Sequence, residues 1–335
     1  MFAGFAVSCE KVIEFKGEAL NPKIVVYSLL NPDSLITAGI SVSHPVFDAE
    51  YSYRQITNAE VSLYEDGAFV ENLEYVPSFS FSGISRSLSL YASPSRRPVP
   101  GRLYRLEVSL AGYDPVSCEA SFPTSVPILS VDTTTEVHNE YGLESYSWLA
   151  KIRFSDPAEE ENYYRLILKR SSGFYGGDKL LPYSPEIPVY VYTEPNSWID
   201  TEDPLLVPTE ENSLFGSDVP NTFSIFSDEL ISGKEHELII NIYQSYQAID
   251  TSYHEFLHIT VELQSISRDL YRYLQTFAAH SMLEGNFISE PVMVYSNVQN
   301  GLGAFGAYLP SRFNISKGRY PEDGVYYIVN PGYYY

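Results

Sequence analysis

His254-Glu255-Phe256-Leu257-His258 matches H-E-x-x-H, the spacing with which a helix sets two imidazoles one turn apart on a single zinc while the glutamate activates a water. That chemistry depends on the helix. In a strand, residues four apart are separated by roughly 13 Å and cannot share one ion. The residues that follow, Ile259 to Ser267, are rich in apolar residues alternating with polar ones, which predicts a strand opening at the match. A third ligand is missing from its usual places, since no H-x-x-G-x-x-H extension follows and Glu284 and Glu290 fall in or near a turn. The match is therefore expected to be a chance one, with no metal and no cofactor. A zinc hydrolase working through His254, Glu255 and His258 is the least favoured of three functional readings.

Other constellations are weaker. Asp156 with Glu159, Glu160 and Glu161 resembles a hard-cation cluster but lacks the alternating ligands and central glycine of a calcium loop, so an exposed turn is expected. Gly301 to Gly306 has the glycine content of a phosphate-cradling loop, yet no helix start follows it, and a structural turn is expected. No serine sits in a G-x-S-x-G elbow. Asp33-Ser34-Leu35 and Asp132-Thr133-Thr134 fit a three-residue acceptor pattern for O-glycans.

The elements that must position these residues centre on Ile259 to Tyr308. Ile259, Val261 and Leu263 alternate at a strand's period. Ser267 is placed to cap a helix near 268–283, with Asp269 in its first turn. Leu270, Tyr271, Leu274, Phe277, Ala278 and Ser281 share one apolar face. A further strand is expected over Pro291 to Ser296, then a turn at Asn297, Asn300, Gly301 and Gly303.

Residues 1–21 read as a signal remnant and tether, and residues 22–122 as seven or eight short strands broken by turn residues, with Glu65-Asp66-Gly67 the clearest hairpin. That spacing predicts an immunoglobulin-like β-sandwich. A linker at 123–127 leads to a second β-rich domain, 128–335, which holds the one amphipathic helix. Within it, Glu194 to Asp218 is a long polar insertion containing Asp200, Glu202 and Asp203. That insertion and the Asn297, Asn300, Gly301 turn are the candidate partner or ligand surfaces, because recognition concentrates on irregular segments of β scaffolds.

Composition agrees with a mainly β fold, since 29 Tyr and 18 Phe accompany short β-branched runs broken by 22 Pro and 20 Gly. A net charge of -22 repels phosphate backbones and disfavours nucleic acid as a partner. Cys9 and Cys118 are too far apart to suggest a metal motif. Cys118, in an alternating run, reads as a buried apolar residue. Cys9 follows a short apolar stretch ending in small residues, like the tail of a bacterial lipoprotein signal, and is the expected lipidation site. Only eight residues precede it and none is basic, so the reading expects a start further upstream.

Whole segments of the chain carry a resemblance: EPVMVYSNVQNGLGAFGAY after SISRDLYRYL, with SDPAEEENYYRL from Ser155, FSDELISGK from Phe226 and NAEVSLYEDG from Asn58. Together they resemble a family of Bacteroidota outer-membrane lipoproteins known only as a domain of unknown function. The resemblance implies a lipid anchor, an outer-membrane and cell-surface location, and a TonB-dependent receptor encoded nearby. It brings no catalytic residues. The leading expectation is an accessory subunit of a TonB-dependent nutrient receptor. A free-standing glycan-binding or adhesive lipoprotein is the second reading, its aromatic side chains serving as stacking platforms.

Overall fold

The computed structural model describes residues 21–44, 55–77, 89–140, 143–176, 190–195, 199, 201–206, 221–244, 253–283, 292–317 and 327–328. It is mainly β with one helix among the described residues, as the composition predicts. The first strands are β1 (Ile24–Leu30), β2 (Thr37–Val42), β3 (Glu60–Glu65), β4 (Ala68–Asn72), β5 (Glu74–Tyr75), β6 (Ser89–Ala92), β7 (Leu103–Ser109) and β8 (Val116–Ser121). Alternation dictates their faces: in β1, Ile24, Val26, Ser28 and Leu30 are buried while Tyr27 and Leu29 point to the other side. The sheet β4-β3-β7-β8 closes over a second layer that includes β1, β2, β6 and β5, around Val26, Ile40, Leu63, Tyr91, Leu106 and Cys118. Asp66 and Gly67 turn the β3–β4 hairpin with φ of 49° and 82°. Phe69 to Val76 contributes to two strands: β4 pairs with β3, a pairing that buried Leu73 continues with its N–H to the Val61 carbonyl at 2.8 Å, and β5 then pairs with β6 in the opposite layer.

The remaining elements are β9 (Ile128–Glu140), β10 (Leu143–Ser155), β11 (Tyr163–Gly176), β12 (Tyr190–Pro195), β13 (Ile225–Ser227), β14 (Glu235–Gln244), β15 (Tyr253–Ile266), α1 (Arg268–Leu283), β16 (Leu302–Lys317) and β17 (Tyr327–Ile328). A three-stranded sheet, β14-β10-β9, faces β11 and β15 across a core of Trp148, Phe154, Tyr164, Leu166, Leu238, Ile240, Val261 and Leu263.

One strand serves both cores. β16 pairs antiparallel with β15 over Tyr308 to Lys317 and parallel with β1 over Leu302 to Ala307, making a continuous ten-stranded sheet. Phe305 and Ala307 enter the first core, and Ile315 packs against the second. The glycine-rich stretch is thus not one turn: the turn ends at Gly301, and Leu302 onward is strand. Its glycines answer to close approach. Gly303 has a φ of 108°, and a Cβ there would run into the carbonyl oxygen of Val26. A Cβ at Gly306 would stand 2.8 Å from that of Leu270, so the missing side chain lets α1 lie on the sheet.

The helix spans the expected residues, with two corrections. The Ser267 hydroxyl accepts from the Ala307 N–H at 3.1 Å, tying the helix start to β16 instead of bonding the helix's first turn. Leu270 and Leu274 are buried, whereas Phe277 is 37% exposed at the edge of the contact and Ser281 is exposed. The strand expected to begin at Pro291 is absent over 292–296, where irregular chain runs beside the helix. Helix side chains take up its backbone groups: Tyr295 N–H donates to Thr276 Oγ1 at 2.8 Å, and His280 Nδ1 lies 2.9 Å from the Val292 carbonyl.

Candidate functional site

His254 to His258 lie within β15, in antiparallel register with β11 from His254 opposite Tyr175 to His258 opposite Ser171. The two histidines are therefore four strand positions apart, roughly 13 Å along the backbone. Among the described residues no cluster of His, Cys, Asp and Glu has the spacing to hold a metal ion.

The acidic turn is braced from within. Asp156 is buried and accepts from Tyr164 Oη at 2.5 Å and the Gly233 N–H at 3.0 Å. Burial raises its carboxyl above the ordinary value against the pull of those bonds. Asp228 accepts the Asn162 N–H at 2.9 Å, so both carboxylates fasten the start of β11 to the loop before β14.

The proposed surfaces divide in the same way. Asp200 and Cys9 lie outside the described residues. Glu202 is exposed. Asp203, expected at a surface, is buried: it accepts from Leu205 N–H at 3.0 Å and Ile239 N–H at 3.2 Å, and it pairs with His236 at 3.3 Å. It joins the 201–206 segment to β14. Asn297 lends its amide to the fold as a short substitute strand, accepting from Phe305 N–H at 2.9 Å and donating to Phe305 O at 2.8 Å. Gly301 is fixed by packing, since a Cβ there would stand 2.7 Å from the Ile24 carbonyl oxygen. Asn300 is exposed with a φ of 61° and is the accessible tip of that turn.

A charged arrangement around a buried carboxylate lies elsewhere, on the face of the ten-stranded sheet opposite the second core. Glu262 of β15, 1% exposed, accepts from Arg312 Nε at 2.6 Å, Lys169 Nζ at 3.2 Å and Gln264 Nε2 at 2.6 Å. Arg312 reaches on to Asp33 at 2.6 Å, and Asn31 Nδ2 donates to Tyr308 Oη at 2.8 Å, so the β1–β2 turn is fastened to β16. One rung away, Arg165 of β11 stands opposite Gln264.

Residues 10–313 match the model of a family described as a domain of unknown function, DUF4249. The chain belongs to that family. No curated protein matches it.

In this DUF4249 chain, no contiguous motif encodes the charged face, because its members are scattered over β11, β15, β16 and a turn near the N-terminus. One signal was available. Glu262 and Gln264 fall at the polar positions of an alternating strand, and Arg165 and Lys169 do the same in β11. Polar positions in two neighbouring strands face each other once the register is known.

Proposed function

We propose that this protein acts by binding, as a lipid-anchored accessory subunit of a TonB-dependent outer-membrane receptor. The observation that favours binding over zinc hydrolysis at this motif is the strand beneath His254 and His258, because a zinc hydrolase of that type needs those residues one helical turn apart. The resemblance running from Asn58 to Tyr308 supports the receptor as partner and Cys9 as the anchor. An anchor confines both partners to one membrane plane and raises their effective concentration, so a modest contact persists. Exposed Glu202 and Asn300 mark irregular segments on the β scaffold where a partner would be met.

The test is affinity purification of the tagged protein from gently solubilised native membranes, followed by mass spectrometry. A co-purifying receptor is the expected result, with release from the membrane fraction on Cys9→Ser. Recovery of the protein alone, with unchanged nutrient uptake on its deletion and binding on a glycan array, would replace this reading with a free-standing glycan-binding lipoprotein.

A further inference from the structure

Arg165 is 8% exposed, yet among the described residues no carboxylate lies within ion-pair distance of it. Its side chain makes one hydrogen bond, from Nε to the Phe223 carbonyl at 3.3 Å, and its guanidinium stands 5.7 Å from the Phe223 ring. Four of the five guanidinium N–H donors are left without a described acceptor. Glu262, whose charge reaches Arg165, is already held by Arg312 and Lys169. On this face three cations, Arg165, Lys169 and Arg312, meet two carboxylates, Glu262 and Asp33. In a chain of net charge -22 that local excess of one positive charge is set against the whole. Tyr27 and Tyr308 lie within the electrostatic reach of Arg165 but do not supply the missing anion, since burial holds both phenols above their ordinary values and so neutral.

Next to the guanidinium runs a strip of rings. Tyr27 leans on Tyr273 at 5.8 Å, Tyr273 stacks on Phe277 at 5.7 Å, and Phe277 approaches Phe223 at 6.1 Å. Phe277 keeps 37% of its surface open at the end of that strip. A guanidinium fork matches a carboxylate with two parallel N–H bonds, and an open ring face matches a flat apolar body. One excess positive charge suits a monoanion better than a phosphate dianion.

We propose that Arg165 is the seat for the carboxylate of a small aromatic acid, whose ring lies against Tyr273 and Phe277. This stands apart from the receptor reading, since a seat of this kind serves a ligand whichever partner the protein meets. The experiment titrates the full chain with benzoate, with its uncharged counterpart benzamide, and with inorganic phosphate, followed by ligand-observed NMR. Benzoate should bind saturably and at least about tenfold more tightly than either control, and Arg165→Met should remove that preference. Equal binding of benzoate and benzamide, or undiminished benzoate binding by Arg165→Met, would overturn the proposal. Should Arg165→Met fail to fold, Phe277→Ala, at a ring 37% exposed, takes its place, and benzoate binding undiminished by it would overturn the proposal.

Discussion

Gly303→Ala tests the strand that serves both cores. Two costs add at this position. A residue with a Cβ at a φ of 108° carries backbone strain of about 1 to 3 kcal/mol. The Cβ also meets the Val26 carbonyl, so β1 and β16 must part locally, losing about two backbone bonds at about 1 kcal/mol each. The sum is about 3 to 5 kcal/mol, a large share of the ~5–15 kcal/mol that separates folded from unfolded domains. Gly67→Ala is the control, because its φ of 82° brings the strain while nothing lies within 4 Å of the added Cβ. It should cost about 1 to 2 kcal/mol. Urea unfolding followed by tryptophan fluorescence and by far-UV circular dichroism measures both variants. A Gly303→Ala loss no larger than that of Gly67→Ala would mean that β1 and β16 do not pair, and the continuous sheet would have to be abandoned.

The helix face offers a graded comparison. Leu270→Ala, at a buried site under Gly306, should lose about 3 kcal/mol or more in urea, whereas half-open Phe277→Ala should lose about 1 to 2 kcal/mol, and the reverse order would place the wrong side of α1 on the sheet. Glu262 gives a dependence on pH. Burial alone would raise its carboxyl, but the bonds from Gln264 and Arg312 and the charge of Lys169 prevail and hold it below the ordinary value. The stability it contributes is therefore complete above the unfolded glutamate value of about 4.3 and disappears as pH falls through the lower folded value. Urea midpoints measured down the acid limb should fall less steeply in Glu262→Gln than in the unaltered protein, and parallel curves would show that the carboxylate is not engaged.

What the sequence discloses here is local. Short alternating strands, the Asp66-Gly67 hairpin and the bounds of α1 follow from periodicity and turn chemistry acting over a few residues. β9 escapes because Asp132 to Glu136 carries threonine and charge without an apolar alternation, and β10 supplies the pairing that holds it extended. β16 escapes for the opposite reason. Glycine reads as a turn unless the close neighbour is known, and the neighbours of Gly303 and Gly306 are Val26 and Leu270. Of the residues singled out for a surface, Asp203, Asn297 and Gly301 are committed to the fold, and polar or glycine character does not by itself distinguish a structural tether from an open contact. The charged face around Glu262 depends on a register that brings Asp33 to Arg312 across most of the chain, which no local pattern encodes.

The parallel pairing of β1 with β16 also sets an order of events for synthesis. Asn31 and Tyr308, joined by a hydrogen bond, are 277 positions apart, so β1 leaves the ribosome long before its neighbour exists. Until Leu302 to Ala307 emerge, one side of β1 presents unpaired backbone groups, the kind of edge that invites a strand from another chain. A fragment that ends before residue 302 would keep that edge permanently, and a separate peptide of residues 302–307 is the piece that would close it.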